Sequence, residues 1–303
     1  PDSPNLRMMM AAADEKQRAH YLAPYVRGET ISAIGISEPG AGADPQLMQT
    51  TAVQDGDDWV INGRKIWITK ADEADFTILM AVTDKNAEGR NGMSAFLVDR
   101  DTPGFNVLRK IPMIDGTATY EIALDDCRVP GWKLLGKRGQ GFLPMQVRLG
   151  TRRIEMASWS IGMAQRALDL ATEHVTKRTT FGKGLEDRQG VQFMLADCAS
   201  KIYIARLMLM HIAYKAENGM DIRQENGIAK VYLANMVHDV VDTAIQLHGA
   251  LGYSLDTPLA AWYTHIRSQR LVDGPDEVHK WITGKNVIRA FKKDGTTAAA
   301  AGG

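Results

Sequence analysis

Cysteine is scarce in this sequence: Cys127 and Cys198 are the two among 303 residues. They stand far apart in no metal-like spacing, so neither a disulfide framework nor a cysteine zinc site is expected, and a reducing compartment fits. The seven histidines form no i, i+4 pair and no HExxH motif, so no metal site is expected from them either. Excess charge of one sign is also missing. Lysine plus arginine is 36 and aspartate plus glutamate is 36, a balance that gives no general reason to bind nucleic acid or an anionic membrane. No apolar run approaches the length needed to span a bilayer, and no signal or transit segment is visible. Two nucleotide-binding signatures are lacking as well. There is no GxGxxG between a strand and a helix, and no glycine-rich loop ends in GK[ST].

With 45% hydrophobic residues the chain can build a sizeable core, and its length suits one large or two ordinary domains. Its patterning changes near residue 140. Upstream lie short β-type runs separated by turn signals: ISAIGI (31–36), FTILMAV (76–82), MSAFLVD (93–99) and YEIALDDCRV (120–129). WVINGRKIWIT (59–69) reads as a hairpin, because Asn62-Gly63 is what a type I′ turn prefers. No long helical pattern separates these runs, so an antiparallel sandwich or barrel is expected rather than a parallel βαβ sheet. Downstream, Ile154, Ala157, Ile161, Ala164, Leu168 and Ala171 form an apolar stripe at alternating steps of three and four. Leu195, Cys198, Ile202, Ala205, Leu209, Ile212 and Ala216 repeat it, and Val237, Val241, Ala244 and His248 continue it. Such stripes predict long helices packed as a bundle. Pro275 suits the first position of a last helix, with Asp276 and Glu277 at its positive end. The expected class is therefore α+β: a helical entry segment (1–30), a β domain (31–140), a four-helix bundle (141–292) and a disordered tail (293–303).

Four stretches carry chemistry. SEPGAGAD (37–44) is either a flexible loop or a phosphate cradle, since glycines let backbone N–H groups approach an anion. KIWIT (65–69) puts Trp67 and Thr69 on one strand face, where Trp67 is either an ordinary cross-strand aromatic or part of a ligand platform. KRTTFGK (177–183) is a basic, aromatic turn after a helix, and AIQLHGALGY (244–253) ends a helix in paired glycines. GKRGQGF (136–142) reads as the hinge into the bundle. Together and in this order the four stretches resemble the acyl-CoA dehydrogenase family, over about residues 22–292. That family has a β middle domain and a C-terminal helical bundle. It normally begins with a helical domain that walls the acyl pocket, which this chain is expected to lack.

The resemblance implies FAD. Ile36 and Ser37 would meet the pyrimidine edge of the flavin, Gly42 its phosphates, Trp67 its ring and Thr69 the N5 edge. Arg178, Phe181, Gln246 and Gly249 would reach FAD across a subunit contact, implying a homodimer or homotetramer. Taken singly, Arg178 is equally a C-terminal helix cation and Gln246 an exposed helix residue. Implied partners are an acyl-CoA substrate and an electron-transfer flavoprotein. The implied location is the cytoplasm if the source is bacterial, otherwise the mitochondrial matrix or a peroxisome.

In LVDGPDEVHKW (271–281), Asp273 is by itself turn chemistry before a Gly-Pro helix start. By resemblance it stands where the family keeps its catalytic base, and Arg153 in LGTRRIEM matches an arginine near that base. Departures accompany this match, among them Gly150 where several members have an acid that touches substrate. Pro275, two residues on, lacks the N–H that the family aims at the thioester carbonyl. Glu277 takes the place of a glutamine near the cofactor, and Ala43 that of a serine near the pyrophosphate. The string DGPDEVH further resembles the subgroup of acyl-CoA dehydrogenase family members 10 and 11, associated with 4-hydroxyacyl-CoAs. Two other readings stand beside dehydrogenation: a nitroalkane-oxidase-like flavin enzyme with an aspartate base, and a non-catalytic assembly module.

Overall fold

In the computed structural model, which describes residues 3–87, 91–297 and 300, the chain divides into units Pro1–Thr151 and Arg152–Gly303. The first begins with short helices α1 (Ser3–Ala12), α2 (Glu15–Gln17) and α3 (Ala23–Val26), the last two joined by a π-turn at Arg18–Leu22. Asp14 and Gln17 form a reciprocal capping box at α2. The Gln17 amide also donates to the carbonyls of Trp132 and Leu134, both at 2.8 Å, which ties this segment to the strands.

Eight strands follow: β1 (Ser32–Gly35), β2 (Thr51–Asp55), β3 (Asp58–Thr69), β4 (Phe76–Val82), β5 (Met93–Asp99), β6 (Phe105–Pro112), β7 (Ala118–Pro130) and β8 (Leu134–Leu135). Their order is β6-β7-β3-β2-β4-β5-β8, with β1 beside β4. The pairing is antiparallel as expected, except that β1 and the start of β2 run parallel to β4. Phe76, Ile78 and Met80 of β4 join one apolar cluster, together with Met8, Tyr21 and Tyr25. Leu79 and Ala81 join a second cluster, around Trp59 and Phe96. Both faces of β4 and β5 are covered, which is why these strands read as unbroken apolar runs.

The expected hairpin at Asn62-Gly63 is not formed. β3 runs straight through, with a register shift between Ile61 and Gly63. The hairpin lies one step earlier, where Asp55 pairs with Asp58 across Gly56, at φ 62°. Asn62 instead exchanges hydrogen bonds with Asp126, and a Cβ on Gly63 would lie 2.4 Å from the Thr50 hydroxyl. The pair uses its freedom for a bulge and a close approach rather than a turn.

The break between units falls inside α4 (Phe142–Lys177). The second unit continues with a ribbon of β9 (Thr179–Thr180) and β10 (Lys183–Gly184), then α5 (Gln189–Glu217), α6 (Arg223–His248), α7 (Ala250–Tyr253), α8 (Leu259–Ile266) and α9 (Asp276–Asp294). The predicted stripes form its core: Ala164 and Ala171 meet Cys198, Ile202 and Ala205, and Val237, Val241 and Ala244. Ala216 is exposed at the end of its stripe. Helix α6 buries residues on several sides, Lys230 and Asn226 among them, as a central helix must. Pro275 is the residue before α9, not its first turn: its ψ of 154° is extended. Of the expected tail, Lys293 and Asp294 close α9, while residues 298–299 and 301–303 lie outside the described residues.

Candidate functional site

In the first unit, Trp67 and Thr69 are exposed on one face of β3, alternating with buried Ile66 and Ile68. Trp67 is 53% exposed and held at φ 65°, beside a register shift between Lys65 and Ile68. A left-handed, exposed tryptophan gains little from the fold for its backbone strain. Ile36 and Ser37, half-buried, follow β1, and the Ser37 carbonyl accepts the Ile66 N–H at 3.0 Å. A buried ion pair that the sequence reading missed braces this junction. The Lys65 ammonium donates to the Ile36 carbonyl at 3.1 Å and to Glu38 at 2.8 Å. Glu38 also accepts the Gln49 and Thr50 N–H groups at 2.6 and 2.9 Å. Burial pushes Lys65 down to about 8 although Glu38 opposes it. Gly42 is exposed with open space where a Cβ would sit, so packing does not require a glycine there.

In the second unit, Asp273 and Gly274 both take positive φ, 52° and 99°. An aspartate tolerates this region better than most residues, and glycine freely. The Asp273 side chain is only 13% exposed. Arg153 donates to Asp273, but through Nε and Nη2 to its backbone carbonyl, at 3.2 and 2.9 Å. Arg153 thus holds the loop by its backbone: a carbonyl turned inward by the left-handed backbone takes both donors. Burial holds the Arg153 guanidinium below its ordinary value, with Asp273 pulling it back. Arg152 faces the carboxylate loosely, with its Nε 3.7 Å from Asp273 Oδ2.

Two further groups fix the loop. His279 is buried, with Nε2 3.5 Å from the Asp273 carbonyl. A Cβ on Gly274 would stand 2.7 Å from Nε2, and one on Gly227 of α6 would stand 3.2 Å from Nδ1. Two glycines thus make room for this ring. Burial, then Arg153 and Lys230, push His279 down to about 4, so it is neutral at pH 7. Asp276, at the start of α9, is buried and accepts from Lys230 at 3.1 Å, Asn235 at 3.0 Å and Arg270 at 3.0 Å. Burial opposes its ionisation, yet these three partners hold its carboxyl below the ordinary value. An acid in the first helical turn was legible from sequence; its partners, two of them more than 40 residues away, were not.

Four of the remaining predicted residues, Arg178, Phe181, Gln246 and Gly249, lie at or just beyond the C-terminal ends of α4 and α6. The His174 and His248 rings stack there, centroids 4.4 Å apart. Arg178 is exposed just beyond α4, and Phe181, 99% exposed at φ 49°, tips the β9–β10 ribbon. Gln246 is exposed on the last turn of α6, with its carbonyl accepting the N–H of Gly249, which is at φ 64°. Glu277 is exposed in the first turn of α9.

A family model described as acyl-CoA dehydrogenase, middle domain, matches residues 33–127, and one described as acyl-CoA dehydrogenase, C-terminal domain, matches residues 139–288. (R)-benzylsuccinyl-CoA dehydrogenase of Thauera aromatica is 40% identical over 95% of this chain and 71% of that protein. Butyryl-CoA dehydrogenase of Megasphaera elsdenii is 33% identical, with a TM-score of 0.89 over 95% of this chain and 76% of its own. A chain in a solved structure of an electron transferring flavoprotein of Acidaminococcus fermentans is 34% identical, with a TM-score of 0.88 over 94% and 75%. Two domain models in the expected order, and relatives matched over nearly the whole chain, agree with the β sheet, the helical bundle and the motifs they display: the chain belongs to the acyl-CoA dehydrogenase family.

Proposed function

We propose that Asp273 is the base of an FAD-dependent α,β-dehydrogenation of an acyl-CoA thioester, removing the Cα proton. The observation that carries this reading is the strained, mostly buried aspartate whose backbone is clamped by Arg153 while its carboxylate stays apart from that guanidinium. A carboxylate used as a base must reach a substrate proton, so the clamp belongs on the backbone. FAD fits the residues present: an exposed left-handed indole, a neighbouring hydroxyl and a braced strand end suit a planar ring. When bound, FAD supplies the acceptor for the hydride that leaves Cβ. Ile36, Ser37, Gly42, Trp67 and Thr69 would hold it. Arg178, Phe181, Gln246, Gly249 and Glu277 would extend toward the cofactor, the first four from a neighbouring subunit. Phe181 supports that role: its ring is 99% exposed, with the Arg188 guanidinium 6.0 Å from its centroid.

Thioester polarisation falls to backbone donors. With Pro275 extended and α9 starting at Asp276, the Asp276 N–H is the first helix-end donor after the base. Self-association is supported by Tyr203, Leu207, Met210 and Tyr214, an exposed apolar stripe along α5 at steps of four, three and four. An electron-transfer flavoprotein as oxidant fits the same reading, as does a cytoplasmic or mitochondrial-matrix location; among the described residues no helix is long and apolar enough to cross a membrane. The finer subgroup reading, with 4-hydroxyacyl-CoAs, rests on DGPDEVH alone. The name of the Thauera relative adds a benzylsuccinyl group, which bears a second carboxylate.

Anaerobic addition of acyl-CoA to the FAD-loaded protein should bleach the flavin. Asp273→Asn should retain FAD and lose the bleaching, by roughly three or more orders of magnitude, as for removal of a proton-transfer group. Bleaching that survives this change puts the base elsewhere. Turnover of a nitroalkane with oxygen and no CoA would favour the oxidase reading, and a protein that takes up no FAD the assembly module.

A further inference from the structure

We infer that Arg152 is the receptor for a second, anionic carboxylate on the acyl group, which makes the substrate a dicarboxylic rather than a simple fatty acyl-CoA; this rests on Asp273 being the base. Arg152 is placed by α4, one residue before Arg153, and the two are used differently. Arg153 commits two donors to the Asp273 backbone. Arg152 stacks on Trp159, with its guanidinium carbon 4.5 Å from the ring centroid. Its contacts with acids are loose: Nε to Asp273 Oδ2 at 3.7 Å and Nη1 to Glu155 Oε2 at 3.6 Å. Both are too long for hydrogen bonds, and among the described residues its N–H fork makes none. The side chain is 26% exposed. It is therefore oriented by an aromatic face, partly withdrawn from water, and left with its planar fork open.

Such a fork matches the two oxygens of a carboxylate, which is the anion a guanidinium binds best in bidentate geometry. Position then sets the substrate. A base sits about 3 Å from the proton it takes. A guanidinium 3.7 Å from that base is within reach of groups one to about four C–C bonds from Cα, at roughly 1.5 Å per bond. That span covers a carboxylate on a Cα substituent or at the end of a four- or five-carbon chain. Longer unbranched acyl tails bring no anion to this place. They leave the guanidinium with only its loose contacts to Asp273 and Glu155, and its partly buried donors without a hydrogen-bonded anion.

The test compares butyryl-CoA with glutaryl-CoA and methylsuccinyl-CoA on the FAD-loaded protein, by anaerobic stopped-flow reduction, in the wild type, Arg152→Lys and Arg152→Met. Binding is read separately by calorimetry with unreactive thioether analogues, and folding by FAD content. The wild type should favour a dicarboxylic thioester over butyryl-CoA by tenfold or more in second-order rate constant. Arg152→Met should lower that ratio about 100-fold, mostly through binding, and Arg152→Lys should restore part of it. A wild type that prefers butyryl-CoA, or a ratio unchanged in Arg152→Met, overturns the inference while leaving the base assignment intact. If no thioester of either class reduces the wild-type flavin, the base assignment fails and this inference with it.

Discussion

Replacing Gly274 by alanine is the most direct test of how the Asp273 loop is held. The backbone there is at φ 99°, where an L side chain is strained, and the new Cβ would lie 2.7 Å from His279 Nε2. His279 cannot simply retreat, because its Nδ1 edge already rests where a Cβ on Gly227 would be, at 3.2 Å. The dihedral strain costs about 1–2 kcal/mol. Overpacking against a buried ring adds about 1–3 kcal/mol, so Gly274→Ala should lose about 2–5 kcal/mol of stability. The loop is the softer partner and should move, carrying Asp273 with it. A shift on the order of 1 Å should slow flavin reduction by about 100-fold. Chemical denaturation and anaerobic stopped-flow reduction of the FAD-loaded protein read the two effects. The double variant Gly274→Ala/His279→Ala keeps the strain but removes the clash, so its loss should fall short of the sum of the single losses by about 1–3 kcal/mol. A Gly274→Ala protein within 1 kcal/mol of wild type with an unchanged reduction rate, or strict additivity in the cycle, refutes the reasoning.

Three further outcomes follow from the same residues. His279 takes up its proton at about 4 in the fold against 6.5 in the open chain, so the unfolded state protonates first. Its stabilisation is full above about pH 6.5 and is lost as pH falls toward 4, about 3 kcal/mol at most; His279→Gln should flatten urea midpoints measured across that window. Asp276→Ala leaves Lys230, 3% exposed, without its carboxylate and should cost about 3–5 kcal/mol, read by denaturation; a loss under 1 kcal/mol counts against the clamp. Lys65→Met leaves Glu38 buried without its cation and frees the Ile36 carbonyl, so FAD should dissociate at least tenfold more readily in an ultrafiltration assay.

The helices were legible because their stripes are local: the residues at 157, 161, 164 and 171 repeat at a period that one helix alone defines, and they are core. The mixed sheet was less so. Its strands could be counted from runs such as FTILMAV, but β1 lies parallel to β4 through pairing across more than 40 residues of chain, as Ser32 with Phe76, which no local pattern encodes. Asn62-Gly63 misled for a physical reason. Backbone freedom suits a turn and a bulge equally, and only Thr50 and Asp126, distant in sequence, decide between them.

The same limit governs the site. Asp273 was singled out by resemblance, an acid before Gly-Pro being by itself turn chemistry, whereas the contacts of His279, Lys230 and Arg270 follow no local pattern. These contacts join Asp273, Gly274 and Pro275 into one arrangement. Asp273 accepts a left-handed backbone more readily than a bulkier residue would, Gly274 has no Cβ to strike His279, and Pro275 sets the extended step from which α9 starts one residue later. Each feature makes the next possible, and the strain they share is held at both ends, by Arg153 on the Asp273 carbonyl and by Lys230, Asn235 and Arg270 on Asp276. Asp273 therefore sits on a tight turn that is held from both sides. Its carboxylate is positioned by a buried charge network, and changes to that network should reach the chemistry without touching the acid itself.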